Sequence, residues 1–252
     1  MLIICWDFDG TIITSGNIYK KIFLDYIKPD ILDKNNNFFS NFFAESGGKH
    51  PINIFKELKE NNFLKENIEF NIYEINKKFN EEVKNNGLSL TKGILDIFKK
   101  LSQHKNVIMA IVTSTNINNF IIKFNSPVLS ELKKYFSLEK NIYICEEVGN
   151  KEPKPSSNGY IYAINDILTK NNITQTNNTI IAIEDAVSGC ISASNTKKEL
   201  SKNNKLIVIG YNTSAPKSKN DILLKNGADY VFNNSKELLD FLNLILDIEF
   251  KL

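Results

Sequence analysis

Five short apolar runs, at positions 2–6, 107–112, 142–145, 179–183 and 206–209, lack alternation with polar residues. A strand with one solvated face alternates, whereas one covered on both faces does not. Helical stripes lie between most of these runs. One spans 93–101 with Ile94, Leu95, Ile97, Phe98 and Leu101; another spans 160–168 with Tyr160, Ala163, Ile164, Ile167 and Leu168; a third covers 238–248. Their spacing is that of one buried helix face. Strands alternating with helices specify an α/β fold, with a parallel sheet covered by helices on both faces.

The stretch between the first two strands, from about Thr14 to about Gly87, breaks this rhythm. It is far longer than an ordinary crossover and carries helical patterns at 18–27, 52–58 and 68–83 without a convincing strand. The economical reading is an inserted α-helical domain over 15–87, with the core formed by 1–14 and 88–252. Hinges are expected near Ser15 and Gly16, and between Gly87 and Thr91, where Gly, Ser and Asn loosen the backbone.

With 252 residues, 42% of them hydrophobic, the chain can bury a substantial core. Its 31 Lys+Arg against 29 Asp+Glu leave a net charge of +2, which makes no case for a nucleic-acid surface. Cys5, Cys145 and Cys190 are odd in number and lack CxxC spacing, so neither a disulfide framework nor a zinc site is expected. Asp7 interrupts the first apolar run too early for a secretory signal, and no run approaches the roughly 20 residues of a membrane span. A cytoplasmic protein without membrane association is the expectation.

The most specific chemistry lies in residues 3–12, which read I-I-C-W-D-F-D-G-T-I. Residues i and i+2 of an extended chain point to the same side, so Asp7 and Asp9 would project together beyond a buried strand. Their repulsion and desolvation are most simply offset by a cation, and a hard ion such as Mg²⁺ suits these oxygens. Three further groups fall at ends of expected strands. They are Thr113 and Ser114 in A-I-V-T-S-T-N, Lys154 in E-P-K-P, and Glu184 and Asp185 in I-A-I-E-D-A-V-S-G. Each has a local alternative. Asp-x-Asp-Gly can form a turn, Thr113–Ser114 and Glu184–Asp185 can cap helices, and Lys154 can be a solvated loop lysine. Together, at one edge of one sheet, they supply carboxylates for a metal, a hydroxyl and amides for an anion, and a lysine to neutralise phosphate.

This ordered set resembles the haloacid dehalogenase superfamily, in the phosphatase branch with a helical cap after the first motif. The likeness spans nearly the whole chain. Asp7-Phe8-Asp9-Gly10-Thr11 is similar to the family's DxDGT motif, Thr113 to the second motif, Lys154 with Tyr160 to the third, and Glu184-Asp185 with Gly189 to the fourth. The chain departs at Ser157-Asn158, where Pro-Asp is usual, and at Lys92, where proline commonly opens the helix after the cap.

The resemblance implies a Rossmann-like core, an inserted cap and a Mg²⁺-dependent phosphatase acting on a small phosphorylated metabolite, such as a sugar phosphate. It implies Asp7 as nucleophile and Asp9 as acid and base, with the Asp9 backbone carbonyl also on the metal. Thr113 and Ser114 would bind phosphoryl oxygens, and Lys154 would neutralise charge on the phosphate and Asp7. Asp185, assisted by Glu184, would complete the metal ligands. Lys49 and His50, after Gly47-Gly48, are candidate specificity residues of the cap; an exposed turn is the plain alternative. A sugar-phosphate mutase would use the same motifs, and a non-catalytic phosphometabolite-binding protein is the rival of another class.

Overall fold

The computed structural model describes residues 1–14, 16–34, 38–39, 42–43, 51–85, 87–174, 176–201, 203–213 and 216–250. Six strands form one parallel sheet: β1 (Leu2–Trp6), β4 (Val107–Thr113), β5 (Ile142–Ile144), β6 (Thr179–Glu184), β7 (Lys205–Tyr211) and β8 (Tyr230–Phe232). Their order is β5-β4-β1-β6-β7-β8, with every neighbouring pair parallel. The chain therefore runs outward from β1 through β4 to β5, then returns to the other side of β1 with β6. Such a reversal opens a crevice beyond the carboxyl ends of the strands.

The apolar runs divide cleanly by parity. Leu2, Ile4 and Trp6 enter one buried cluster with Phe98, Leu238 and Leu242. Ile3 and Cys5 enter the opposite cluster with Tyr160, Ala163, Ala193 and Val208. Period-2 side-chain placement thus gives β1 two dry faces, which is why its sequence does not alternate. Helices α5 (Ile94–Leu101) and α10 (Ser235–Phe250) cover the first face, while α7 (Asn158–Lys170), α8 (Val187–Glu199) and α9 (Ser218–Lys225) cover the second. Trp6 meets Phe98 edge-on at 5.0 Å and 86°, and both are fully buried. Truncating either aromatic ring to Ala would cost about 3–5 kcal/mol.

Strands β2 (Ile13–Thr14) and β3 (Ser89–Leu90) form a short antiparallel pair, with Ile13 opposite Leu90 and Thr14 opposite Ser89. Thr14 Oγ1 and Ser89 Oγ lie 2.5 Å apart. This ribbon was not expected; two-residue strands carry no periodic signal, and tertiary pairing alone creates them. It stands where the sequence suggests hinges, although Ser15 itself lies outside the described residues.

Between β2 and β3 run α1 (Gly16–Leu24), α2 (Pro29–Lys34), α3 (Pro51–Glu60) and α4 (Ile72–Lys84). Asn71 caps α4, its side chain accepting hydrogen bonds from the Tyr73 and Glu74 amides, which otherwise lack helical partners. Ile75, Phe79 and Val83 then recur at four-residue steps and bury one face. Phe79 packs against Tyr19 of α1 at 4.9 Å. Phe23, Phe39, Phe63, Phe55 and Phe70 extend an aromatic interior through this helical insertion. Its buried residues are continuous with the sheet face that holds Trp6. No described helix is long and apolar enough to cross a membrane.

Candidate active site

Strand register brings the charged residues together. Trp6 pairs with Ile111 on one side and Ile183 on the other, and the Asp7 amide donates to the Ile183 carbonyl at 2.9 Å. One step further along these strands lie Asp7, Val112 and Glu184. Three positions widely separated in sequence therefore reach the same edge because the central strands run parallel and in step.

Lys154, from the segment after β5, reaches into this edge. Its Nζ donates to Asp7 Oδ1 at 2.6 Å and to the Val112 carbonyl at 2.7 Å, and pairs with Glu184 Oε1 at 2.7 Å. An ammonium has three protons, and three oxygen partners take them. The side chain is 5% exposed and its Nζ lies 5.3 Å from the centre of the Tyr160 ring. Burial by itself would push the lysine down, but Asp7 and Glu184 override it and hold the group well above the ordinary lysine value. Tyr160 also donates its hydroxyl to Glu184 Oε1. Glu184 is consequently the anchor of Lys154 as well as a member of the acidic cluster.

Asp7, Glu184 and Asp185 each present an oxygen within 4.8 Å of the others, and all three residues are buried. Burial, with repulsion from neighbouring carboxylates added, raises all three carboxyl groups above their usual range; Lys154 offsets part of this at Asp7 and Glu184, and Lys219 with Lys154 at Asp185. Asp185 Oδ1 is buried without a hydrogen-bond donor. Its Oδ2 lies 3.6 Å from Lys219 Nζ. All-oxygen donors with an orphaned carboxylate atom fit a hard divalent cation. Two glycines allow this crowding. A Cβ on Gly10, whose φ is +94°, would fall 2.2 Å from Asp185 Oδ2; one on Gly189 would fall 1.9 Å from Glu184 Oε2.

Asp9 is held separately. Lys123 Nζ stands 2.7 Å from both carboxylate oxygens, and Thr115 Oγ1 donates to Oδ2 at 2.5 Å. Lys123 belongs to α6 (Ile117–Phe124), whose N-cap Asn116 accepts from the Asn119 amide. Thr113 Oγ1 accepts from the Thr115 amide at 3.1 Å, and Ser114 Oγ accepts from the Lys154 amide at 2.9 Å. Thr113–Ser114 therefore shapes the turn and anchors the lysine segment. With all four carboxyls ionised, Asp7, Asp9, Glu184 and Asp185 would exceed Lys123, Lys154 and Lys219 by one negative charge.

The structure thus gathers Asp7, Asp9, Thr113, Ser114, Lys154, Glu184 and Asp185 at one sheet edge. Lys49 and His50, with Gly47 and Gly48, lie outside the described residues. Sequence reasoning missed Lys123, Thr115 and Lys219. Lys123 had a legible signal: a charge within the apolar stripe Phe120, Lys123, Phe124. Thr115 and Lys219 had none, because ordinary loop and helix positions carry them there.

The family model described as haloacid dehalogenase-like hydrolase matches residues 4–200. The chain belongs to that family. Solved structures agree in fold. A conserved haloacid dehalogenase-like protein of unknown function from Agrobacterium tumefaciens is 15% identical, with a TM-score of 0.66 covering 97% of this chain and 98% of that one. A HAD family hydrolase from Deinococcus radiodurans, solved with bound phosphate and sodium, is 16% identical at a TM-score of 0.66, covering 98% and 95%. A HAD-hydrolase from Bacillus subtilis bound to magnesium is 16% identical at 0.56, covering 96% and 98%. No curated protein matches the chain.

Proposed function

We propose that this hydrolase is a Mg²⁺-dependent phosphatase of small phosphate monoesters, such as a sugar phosphate or related metabolite, working through an aspartyl-phosphate. The observation that carries the reading is the trio of Asp7, Lys154 and Glu184. A buried carboxylate lies 2.6 Å from a lysine that a second carboxylate fixes from behind. The family relationship supports hydrolysis, and the phosphate and magnesium bound to the two relatives support the choice of ester and ion.

In this reading an Asp7 carboxylate oxygen attacks phosphorus, and the bond from phosphorus to the ester oxygen breaks. Asp9, entering the cycle as the carboxylic acid, gives the departing oxygen its proton. Asp9 then takes a proton from water, whose oxygen attacks phosphorus while the bond to Asp7 breaks. Inorganic phosphate leaves and both aspartates return to their starting states. Lys154 neutralises charge on Asp7 and on the phosphoryl oxygens, which the Thr113 hydroxyl and the Ser114 amide also bind. Asp7, Asp185 and the Asp9 backbone carbonyl, assisted by Glu184, would hold Mg²⁺, whose charge screens the phosphate from its nucleophile. The helical insertion over 15–87 serves as the cap that excludes water and selects the leaving group. Lys49 and His50 are specificity candidates there.

The test is a panel of phosphate monoesters with Mg²⁺, read by phosphate release and by the sugar phosphate recovered. Phosphate release that disappears in Asp7→Asn, with folding retained, supports hydrolysis. Recovery of an isomerised sugar phosphate without phosphate release would replace hydrolysis by a mutase reaction. No turnover of any ester, with binding retained, would leave a phosphometabolite-binding protein.

A further inference from the structure

Lys123 is a charged residue in an apolar place. It is 2% exposed and shares its helix face with Phe120 and Phe124, both buried. Burying an ammonium costs several kcal/mol unless specific partners compensate it. The compensation comes from two different parts of the molecule. On one side both oxygens of Asp9 lie 2.7 Å from Nζ. On the other, Nζ sits 5.0 Å from the ring centre of Phe79, within cation–π range. Phe79 is fully buried on α4 of the helical insertion and rests on Tyr19 of α1. Lys123 itself is on a core helix. It therefore touches both the loop after β1 and the interior of the insertion.

The two-oxygen grip is the informative part. A lysine that only neutralised Asp9 could do so from one oxygen, leaving the carboxylate free to turn. Contact with both oxygens, plus the Thr115 hydroxyl on Oδ2, removes that freedom. A carboxylate that must face a departing oxygen gains from fixed orientation, since misplacement by about 1 Å can cost about 10²-fold in rate.

We propose that Lys123 is a positioning residue: it orients the Asp9 carboxylate, and through Phe79 it ties that orientation to the seating of helix α4. The proposal rests on the reading of Asp9 as proton donor to the leaving group. Seating of α4 against the core places the Phe79 ring under the ammonium and steadies the grip on Asp9. Displacement of α4 takes the ring away and loosens it. The Asp9 carboxyl is then most firmly aligned when the insertion is docked on the core, where water is excluded.

The experiment compares kcat/KM for an alkyl phosphate, glycerol 3-phosphate, with that for p-nitrophenyl phosphate, with Mg²⁺ present. The nitrophenolate leaves without needing a proton, whereas the alkoxide needs one. Lys123→Met is expected to lower kcat/KM at least about 30-fold for the alkyl ester and less than about 3-fold for the aryl ester. Lys123→Arg is expected to restore part of the alkyl activity. Phe79→Leu, which keeps apolar volume but removes the ring, is expected to show the same selectivity at about 3- to 10-fold. If Lys123→Met does not fold, Phe79→Leu decides the matter by the same ratio. Equal losses on the two esters, or none, overturn the proposal and leave Lys123 with a purely structural role.

If wild-type protein hydrolyses neither these two esters nor any other member of the phosphate-ester panel, the phosphatase reading fails by itself. Crystal structures of wild type, Lys123→Met and Phe79→Leu then decide the positioning role. An Asp9 carboxylate that changes rotamer in the variants supports it, and one that keeps its wild-type rotamer overturns it.

Discussion

Gly189 lies so close to Glu184 that a Cβ built on it would stand 1.9 Å from Oε2. The carboxylate cannot simply swing aside, because its Oε1 holds both Lys154 and Tyr160. Gly189→Ala is therefore expected to displace Glu184 and, with it, the lysine that touches Asp7. Overpacking of this kind costs about 1–3 kcal/mol. Thermal melting and steady-state kinetics check both consequences. A variant with wild-type melting temperature and kcat/KM would contradict the geometry.

Asp7→Asn keeps the shape of the side chain and removes the oxyanion that the proposed mechanism uses for attack. Lys154 retains Glu184 and the Val112 carbonyl, so the fold should survive. Turnover is expected to fall by about 10⁴-fold or more, as for loss of a nucleophile. Phosphate-release assays measure this, with circular dichroism as the control. Retention of more than a few per cent of the rate in a folded variant would remove Asp7 from the nucleophile's role.

Tyr160 is fully buried, and its hydroxyl donates to Glu184. Burial and the neighbouring carboxylate hold the phenol well above its usual range, so it remains a donor at neutral pH. Tyr160→Phe leaves Glu184 with one donor fewer. The expected loss is about 1–3 kcal/mol of stability, read by urea unfolding. An unchanged midpoint would show that Lys154 alone satisfies the carboxylate.

Asp7, Glu184 and Asp185 all bind protons more tightly in the folded protein than in the unfolded chain, chiefly because of burial. In the metal-free protein the folded state then carries more protons than the unfolded one at intermediate pH. By linkage, these groups make stability fall as pH rises from the ordinary carboxylate range, about 4, through their raised values. Lys154 is raised above the usual lysine value, so its contribution is intact across this window and fades only at strongly alkaline pH. A divalent cation bound to the ionised cluster reverses the penalty. The rise in melting temperature on adding Mg²⁺ should be larger at pH 8 than at pH 5. A rise that is equal at both pH values, or absent, would argue against a cation held by these carboxylates.

Parts of this molecule were legible before any tertiary contact was known. The apolar runs mark β1, β4, β5, β6 and β7, although β4 and β6 run one residue further, through Thr113 and Glu184, β7 spans Lys205–Tyr211, and β5 stops at Ile144. Strand β8, with three residues and Tyr230 48% exposed, has too little periodicity to be read. The ribbon of β2 and β3 was hidden for the same reason. Asp7, Asp9, Thr113, Ser114, Lys154, Glu184 and Asp185 were all recognisable, because sharp changes from apolar run to polar residue mark strand ends. Lys123 was overlooked although it breaks an apolar stripe, since a helix pattern alone does not say what a buried charge faces.

The division follows from the range of the forces involved. Side-chain periodicity and strand-end chemistry are local, so the sequence by itself determined an α/β core, a helical insertion and the candidate reactive residues. Distances between residues far apart in the chain depend on strand order, register and helix docking. Only the tertiary structure decided that Lys154 spends its three protons on Asp7, Glu184 and Val112, and that Glu184 needs Gly189 to fit. It alone gave Asp9 its own lysine and set that lysine against Phe79, where a core helix meets the insertion.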